Sequence, residues 1–341
     1  MEISSGRIIN GTLEEKIERI DKSEQVYTIS GVQPILPDTV TARTNMGNKL
    51  EKKVVWNLEG IDFTGNVTLE GTVSETAVKA AVDVQVTPEN VQYFIDCNNP
   101  ESPEYKRVNR YAELLNKSPD QKYVEGSWGY EEEYGEYNGN INDNYDTGWY
   151  ANQGQVIRYT FPLEAGTYRV SMGFKEWWNQ DRPMKVSVTA GEKTTELGTA
   201  NTWKNNNPWN EEYYEFTCET AGDVTLSVAA DGGPDPVLSF IRIQNKLNLQ
   251  ELKDALADAA AIDRSQYPQE KLEVLDSAVK EGHPLLYRAG TSQKDTEQAA
   301  LRIRQAVENL NGGGETQEAD LTSLRLAVAM AEKLEDRKSV V

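Results

Sequence analysis

Tryptophans concentrated in one stretch are the residues of this chain with the clearest potential for chemistry. Six of the seven tryptophans fall between Ser127 and Asn210, and several stand beside asparagine, aspartate or arginine in segments without strand-like alternation. Core packing needs aromatic residues inside strands, so tryptophans in polar loops indicate a different role. The six are Trp128, Trp149, Trp177, Trp178, Trp203 and Trp209.

Flat aromatic rings among polar side chains suit a ligand that has an apolar face and a polar rim. A pyranose sugar presents a face of C–H groups that an indole ring contacts favourably, while amide, carboxylate and guanidinium groups bind its hydroxyls. The sequence therefore predicts a sugar-binding site in this stretch. The residues predicted to form it are Trp149, Trp177, Trp178, Trp203 and Trp209, with Asn152, Asn179, Asp181, Arg182, Asn205 and Asn206.

Some of these tryptophans have a purely structural alternative. Trp177 and Trp178 are adjacent, so they would point to opposite faces of an extended segment, and one of the two is expected in the core. Trp128 stands among glycines at positions 126 and 129, where the alternative role is to anchor a long loop.

The overall composition argues against several classes of function. The formal net charge of the 341-residue chain is -20 and its pI is about 4.6. This charge disfavours binding to nucleic acid or to an anionic membrane, because phosphate contacts need clustered Lys and Arg. No apolar run is long enough for a membrane span. The sequence has no glycine-rich phosphate loop, metal-ligand cluster or nucleophile elbow, so we predict no catalytic residues.

Three further features of the sequence indicate little about function: the two cysteines, the single histidine and the N-terminus. Cys97 and Cys218 allow either one bridge or two separate buried thiols. The single histidine, His283, precedes Pro284 at a predicted helix break and is expected on the surface. Met1 opens a segment without a signal peptide, which reads as a start added to an excised piece, and a signal further upstream is left open.

Three successive segments with different residue patterns divide the chain into predicted domains. Residues 24–88 contain short Val- and Thr-rich strands separated by Gly, Pro and Asn, which is typical of a small β-sandwich. Residues 91–245 contain alternating strands with polar loops, typical of a jelly roll. Residues 247–311 carry apolar stripes at helical spacing, typical of a three-helix bundle. The remaining segments are an N-terminal extension (1–23) and a linker with the first helix of a second repeat (312–341).

The first predicted sandwich resembles a known family. The strings LPDTV (36–40), VVWNLEG (54–60) and GTV (71–73) are similar to the pattern of bacterial immunoglobulin-like domains of group four, which occur in large secreted enzymes. The resemblance implies an Ig-like β-sandwich with Trp56 packed between its sheets.

The second predicted sandwich resembles the galactose-binding-like jelly roll, in particular carbohydrate-binding modules of families six and thirty-five and malectin-like domains. The strings GQVIRY (154–159), EAGTY (164–168) and DGGPD (231–235) carry the similarity. In these families, loops at one end of the sandwich bind sugar through one or two aromatic residues and a polar residue of the last loop. The resemblance implies that the matching ligand positions are Trp149 or Tyr150, Trp203 and Asp235.

This second resemblance also extends to a structural calcium ion, which these families often hold. Hard oxygen donors are available as ligands, but they show no fixed spacing, so no site is assigned. A long insert at residues 100–144 departs from the compact families and obscures which loop holds the ligand. The candidate calcium ligands are Asp96, Asp143, Asp146, Glu131, Glu132 and Glu133.

The predicted helical bundle resembles the FIVAR repeat, a spacer or interaction module of extracellular Gram-positive proteins. Leu252, Ala255, the Tyr267 and Pro268 pair and the string AAL (299–301) carry the similarity. The apolar pattern of residues 248–262 recurs in residues 320–334, which indicates a second bundle cut short.

Together these observations predict a non-catalytic sugar-binding fragment of a multimodular, secreted glycoside hydrolase. The expected partners are a glycan and a covalently linked catalytic domain, outside the cell or attached to the cell wall, with no nucleic acid and no membrane insertion. Two alternatives remain: a cell-surface adhesin that binds a host glycan or a protein partner, and a purely structural spacer. A standalone enzyme is the least favoured interpretation.

Overall fold

The computed structural model describes residues 8–9, 12–152, 154–203 and 207–310. Over these residues the chain is mostly β, with several sheets that are antiparallel except for one parallel strand pair in the N-terminal region, followed by a helical region at the C-terminal end. The predicted fold class is therefore confirmed. In the described part of the chain, no helix is both long and apolar enough to cross a lipid bilayer.

The N-terminal region folds as a six-stranded arrangement with the strand order β3-β5-β6-β7-β8-β4. The long strand β6 pairs with β5 through Lys49–Lys53 and with β7 through Val54–Trp56. It therefore joins the β3–β5 pair to the β7, β8 and β4 strands. Trp56 packs against both apolar clusters of this region and its indole Nε1 donates to the Pro37 carbonyl oxygen at 2.8 Å, as expected for a residue between sheets. The six strands are β3 (Ile17–Ile20), β4 (Val26–Ile29), β5 (Thr39–Thr44), β6 (Lys49–Trp56), β7 (Val67–Val73) and β8 (Lys79–Thr87). Before them, β1 (Ile8–Ile9) and β2 (Thr12–Leu13) pair with each other in a separate two-stranded sheet.

The central region is a β-sandwich. A five-stranded sheet (β10-β13-β18-β15-β16) faces a four-stranded sheet (β17-β14-β20-β9), and a three-stranded sheet (β11-β12-β19) lies beside them. The strands are β9 (Val91–Asp96), β10 (Gly129–Tyr130), β11 (Gly135–Asn138), β12 (Thr147–Tyr150), β13 (Ile157–Leu163), β14 (Gly166–Lys175), β15 (Pro183–Ala190), β16 (Lys193–Asn201), β17 (Trp209–Cys218), β18 (Gly222–Ala230), β19 (Val237–Leu238) and β20 (Phe240–Asn245).

The sandwich core follows the period of two in its strands. On β14 the alternating residues Tyr168, Val170, Met172 and Phe174 are all buried, and they meet the inward faces of the opposite sheet. Cys97 and Cys218 are both buried and free, so of the two alternatives the structure has separate thiols.

The insert at residues 100–144 is more ordered than the sequence suggested. It contains a helix, α1 (Pro103–Ala112), whose first turn is capped by Ser102: the Ser102 hydroxyl accepts from the Tyr105 amide at 2.9 Å, and proline occupies the first helical position. The apolar face of α1 packs on Phe94 and Phe240, on the outer surface of the four-stranded sheet. For this reason β9 is buried along its whole length.

The C-terminal helices pack around one apolar core. They are α2 (Gln250–Ala260), α3 (Gln269–Gly282) and α4 (Gln293–Leu310), with single 3-10 turns at Arg264–Gln266 and His283–Leu286. Their buried faces follow the predicted stripes, for example Leu252 and Leu256 on α2 and Leu272 and Leu275 on α3. The predicted second repeat lies outside the described residues.

The helical region is docked on both β-regions, and this overturns the prediction of a surface histidine. Ile29, the last residue of strand β4, and Val32, three residues further on, belong to the helical core. His283 is only 2% exposed, and its Nε2 lies 3.2 Å from the Gln33 carbonyl oxygen and 3.3 Å from the Thr28 hydroxyl.

The contact with the central sandwich includes hydrogen bonds as well as the packing of the Tyr287 ring on Tyr111, with centroids 6.4 Å apart. The Asn90 side-chain amide donates to the Leu285 carbonyl oxygen at 2.8 Å, and the Gly290 amide donates to the Gln92 side chain at 3.0 Å. The helices therefore contact both sandwiches and fix the orientation of one relative to the other.

Candidate functional site

Four aromatic rings meet at one end of the central sandwich, and we call them the loop cluster: Tyr137, Tyr150, Trp177 and Trp178. Tyr137 and Trp177 stack with ring centroids 4.4 Å apart and an interplanar angle of 8°. Trp178 stands edge-on to its neighbours, 5.6 Å from Trp177 and 5.0 Å from Tyr150. Trp178 is 42% exposed, while the other three rings are partly buried. The cluster thus exposes the Trp178 ring to solvent and supports it on the three partly buried rings.

Two glycines of the hairpin β11–β12 make room for the partly buried rings of the loop cluster. Gly135 lies directly opposite Tyr150 in the strand pairing, and a Cβ on Gly135 would overlap the Tyr150 ring. A Cβ on Gly148 would lie 2.6 Å from Cη2 of Trp177. Both positions therefore need glycine, because only a bare backbone lets the two rings lie close against the hairpin.

A buried ion pair fixes the loop that carries the two tryptophans. Arg182 Nε donates to Glu176 Oε2 at 2.6 Å, and the side chains are 4% and 0% exposed. The second carboxylate oxygen of Glu176 accepts from the Trp178 amide at 2.7 Å. Arg182 Nη1 donates to the Asp235 carbonyl oxygen at 2.5 Å, which ties this loop to the loop before β19.

This arrangement changes the predicted roles of Arg182 and Asp235. The guanidinium carbon of Arg182 lies 5.1 Å from the centroid of the Trp178 ring, within the range of a cation–π contact. Arg182 therefore positions Trp178 from beneath, and its burial keeps it from binding a ligand directly. Asp235 contributes its backbone carbonyl to the loop, and its half-buried side chain stays at the same end of the sandwich.

Trp203 joins the same end of the sandwich from a neighbouring loop. It is half-buried, and its indole Nε1 donates to the Gln180 carbonyl oxygen at 2.7 Å. The Asn201 side chain bridges the same two loops by donating to Asp181 Oδ1 at 2.7 Å. Asn205 and Asn206 lie outside the described residues, so their predicted roles stay predictions.

Trp149 does not belong to the site, and its prediction as a ligand residue is wrong. It is 5% exposed and lies in the sandwich core. Its Nε1 donates to the Tyr159 hydroxyl at 2.7 Å and to the Asp120 carboxylate at 3.0 Å. Burial raises the pKa of Asp120 to about 7. Of the two alternatives at this position, Tyr150 is the one that reaches the loop cluster.

Trp209 is exposed but lies elsewhere. It opens strand β17 and projects from the outer face of the four-stranded sheet, with 47% of its surface accessible. Its ring packs 5.1 Å from the ring of Tyr145, while the carbonyl oxygen of Tyr145 accepts from Trp177 Nε1 at 3.2 Å. Tyr145 therefore separates Trp209 from the loop cluster.

Of the other predicted residues, Trp128 is buried in the sandwich core, in agreement with the anchoring alternative. Sequence reasoning missed Tyr137. It lies on a four-residue strand with polar neighbours, and its stacking partner Trp177 is 40 positions further along the chain. The available signal was the hairpin itself, in which two tyrosine-containing segments flank a loop rich in Asn, Asp and Gly at residues 138–144.

The candidate calcium ligands do not converge among the described residues. Asp96 accepts from Ser102, Thr147 and Asn99, and burial raises its pKa to about 6. Asp146 forms an ion pair with Lys175 at 2.8 Å. Within the described ranges, no group of three or more His, Cys, Asp or Glu side chains is arranged to hold a metal ion. Calcium binding thus stays a prediction without a site.

Comparison with known proteins supports the Ig-like assignment and adds little beyond it. Residues 20–76 match the family of bacterial Ig-like domains (group 4), which confirms that resemblance for the N-terminal region. No curated protein matches the chain.

Several solved structures are similar to parts of this chain. The CBM51-2 and INT domains of Clostridium perfringens ZmpB are 12% identical, with 86% of this chain and 62% of that chain covered and a TM-score of 0.32. A family 35 carbohydrate-binding module from an environmental isolate is 15% identical, covering 36% of this chain and 90% of its own, with a TM-score of 0.28. A Bacteroides uniformis beta-glucuronidase is 16% identical over 65% of this chain and 28% of its own, with a TM-score of 0.32.

The chain spans about 62% of the length of the Clostridium structure.

Proposed function

We propose that this protein binds carbohydrate without catalysing a reaction, through the loop cluster and Trp203 at one end of the central sandwich. The observation that carries this proposal is the half-exposed Trp178 ring, held in place by the buried pair of Glu176 and Arg182. A large aromatic ring that is both exposed and fixed loses little conformational entropy when a sugar stacks on it. The surrounding amides and carboxylates of Asn179, Asp181 and Asp235 supply partners for hydroxyl groups.

The chemistry of the site favours binding over catalysis. Two carboxylates of the segment that carries the tryptophans are already hydrogen-bonded within the protein: Glu176 accepts from Arg182 and from a backbone amide, and Asp181 accepts from Asn201. A glycosidase needs two carboxylates facing each other across the scissile bond. A site that only binds a sugar needs aromatic rings for stacking and polar side chains around them.

The wider setting is part of the same proposal. An Ig-like domain and a docked helical region beside a sugar-binding sandwich suit an accessory part of a secreted glycoside hydrolase, which would hold a covalently linked catalytic domain near its glycan. The extensive contacts of the helices with both sandwiches also favour a second role, in which the helical region sets the orientation of the binding face. An adhesin would use the same face on a host glycan.

Binding to a glycan array, followed by calorimetry on each hit, tests the proposal. We expect Trp178→Ala to weaken binding strongly, Trp203→Ala to weaken it, and Trp178→Phe to retain part of it, because a phenyl ring keeps a stacking face. Val55→Ala is the matched control, since Val55 is exposed on the distant strand β6. Failure of the intact chain to bind any glycan, or equal binding by Trp178→Ala, would contradict the proposal.

A further inference from the structure

The hairpin β11–β12 carries two rings of the loop cluster, Tyr137 on β11 and Tyr150 on β12. Strand β11 is the edge strand of its sheet, so it has a strand partner on one side only. Its other side meets a turn at the end of β9, residues 96–99, in which the Asn99 amide donates to the Asp96 carbonyl oxygen at 3.1 Å. We call these four residues the β9 turn. Contacts from this turn therefore help to decide where the hairpin lies.

Asn98 is the residue of the β9 turn that reaches β11. Its side-chain amide donates to the Tyr137 carbonyl oxygen at 3.2 Å and to Asn138 Oδ1 at 3.0 Å. Its φ of 56° lies in the left-handed region, which asparagine adopts more readily than most residues do. The turn thus places an amide side chain against the strand that holds the Tyr137 ring on Trp177.

The Asp120 carboxylate joins this contact to the second strand of the hairpin. Asp120 Oδ2 accepts from the Asn98 backbone amide at 2.7 Å and from Trp149 Nε1 at 3.0 Å. Trp149 directly precedes Tyr150 on β12. Asp120 also accepts from the Tyr159 hydroxyl at 3.0 Å, which anchors the carboxylate to the sandwich core. One carboxylate oxygen therefore contacts a neighbour of each tyrosine-bearing strand.

The rest of the β9 turn holds the hairpin at its loop end. Asp96 Oδ1 accepts from the hydroxyl of Thr147, the first residue of β12, at 3.2 Å. The Asn99 side-chain amide donates to the Ile141 carbonyl oxygen in the loop between the two strands at 2.9 Å. These contacts restrain the loop, and the Asp120 contacts restrain the segments next to the aromatic rings.

The carboxylate of Asp120 opposes folding at neutral pH. Burial raises its pKa to about 7, so ionising it in the native protein costs more free energy than ionising it in the unfolded chain. Its neighbours Asn98 and Trp149 both present N–H donors, which an acceptor at this position satisfies. The value of this acceptor is therefore better explained by the contacts that it organises than by stability.

We infer that Asp120 is a positioning residue of the proposed sugar site. Through Asn98 and Trp149 it sets where the two tyrosine rings of the hairpin lie. These rings contact both tryptophans of the loop cluster, at centroid distances of 4.4 Å, 5.8 Å and 5.0 Å. The importance of the residue for binding rests on the proposed function, whereas its effect on the rings is measurable without a ligand.

The test is ¹⁹F NMR on the whole chain labelled with 5-fluorotryptophan, with the signals of Trp177 and Trp178 assigned from their Phe variants. Asn98→Gly keeps a left-handed backbone and the amide that donates to Asp120, but it removes the donor to β11. We expect the Trp177 signal to shift, because its fluorine senses the ring stacked upon it. Glu75→Gly is the matched control and should leave the signals unchanged, since Glu75 also has a left-handed φ, of 63°, but lies in the Ig-like domain.

A second variant tests the contact with β12. Trp149→Phe retains an aromatic ring in the core but has no N–H for Asp120, so we expect the Trp178 signal, beside Tyr150, to shift. Tyr93→Phe is its control, because it removes a hydroxyl that donates to the Pro162 carbonyl oxygen at 3.0 Å in the same core. Asp120→Ala should shift both tryptophan signals. If that variant does not fold, the two milder variants still decide the question.

The effect on binding is measured by titrating the same proteins with cellohexaose, xylohexaose and mannohexaose. For a sugar that shifts the wild-type Trp178 signal saturably, Asn98→Gly should bind roughly fivefold more weakly, which is the effect of about one hydrogen bond. Glu75→Gly should bind like the wild type. Thermal melts check that each variant is folded.

The outcomes separate this inference from the proposed function. Tryptophan signals that stay at their wild-type positions in both Asn98→Gly and Trp149→Phe would overturn the positioning role, even if sugars bind. Shifted signals with an unchanged sugar affinity would overturn its importance for the site. Shifted signals in a chain that binds no glycan would support the positioning of the rings and contradict the proposed function.

Discussion

The burial of the only histidine gives a prediction whose magnitude follows from the structure. His283 Nε2 faces the carbonyl oxygen of Gln33, which can only accept, so this nitrogen carries the proton. Burial lowers the pKa of His283 from 6.5 to about 4. The native protein therefore holds a neutral imidazole where the unfolded chain would be half protonated near pH 6.5.

The sign and size of the effect follow from proton linkage. As the pH falls from 6.5 towards 4, the unfolded state takes up a proton that the native state refuses, so the free energy of unfolding decreases. The stabilisation is fully present above about pH 6.5 and is lost by about pH 4. A shift of this size corresponds to roughly 3 kcal/mol, at about 1.4 kcal/mol per pKa unit.

The assay is urea unfolding from pH 7 to pH 4 on the wild type and on His283→Gln. Glutamine keeps an N–H that can reach Gln33 but does not titrate, and the pair cancels the contributions of all other titrating groups. We expect the wild type to lose about 3 kcal/mol relative to the variant across this range. A constant difference between the two proteins would refute a buried, neutral imidazole between the helices and the Ig-like domain.

Other perturbations test the central sandwich. Arg182→Met should destabilise the protein by about 3–5 kcal/mol, because it leaves Glu176 buried without its partner, and adding Glu176→Leu should recover part of the loss; urea unfolding measures both. Gly148→Ala should displace the Trp177 ring, seen as a change in near-ultraviolet circular dichroism and a lower Tm, while Gly222→Ala, with open space around its Cβ position, is the control. Asp120→Asn should make the free energy of unfolding less dependent on pH. Because the pKa of Asp120 is raised from 3.8 to about 7 in the native protein, the wild type should lose about 4 kcal/mol as the pH rises through this range, and the variant should not. Urea unfolding of both proteins between pH 3.8 and pH 7 measures the difference.

The sequence was sufficient wherever the fold depends on local periodicity. The alternation from Tyr168 to Phe174 predicted β14, and the stripe beginning at Leu252 predicted α2, because a strand or a helix records its buried face in its own residues. Helix α1 carried a readable signal in Ser102 and Pro103 at its start, but the polar composition of the insert concealed it.

Partners far apart in the chain could not be predicted in this way. His283 is buried by Gln33, 250 positions earlier, and nothing near Pro284 records that contact. Trp149 looked like a loop residue because β12 is only four residues long, yet it points into the core towards Asp120 and Tyr159. The same limit concealed the pairing of Tyr137 with Trp177. Composition identified the region of the site, and only the tertiary contacts identified which of its rings face outward.

The two exposed tryptophans differ in how they are held, and this difference bears on which of them is ready to bind a ligand. Trp178 is fixed from below by Arg182 and through its own amide by Glu176, so its ring is ordered before any ligand arrives. Trp209 is supported by the tilted ring of Tyr145 alone among the described ring contacts. Ordering a side chain on binding costs about 0.5–1.5 kcal/mol. Trp178 therefore loses little free energy in this way when a sugar stacks on it, whereas Trp209 would lose more, and this difference favours the loop cluster as the binding face.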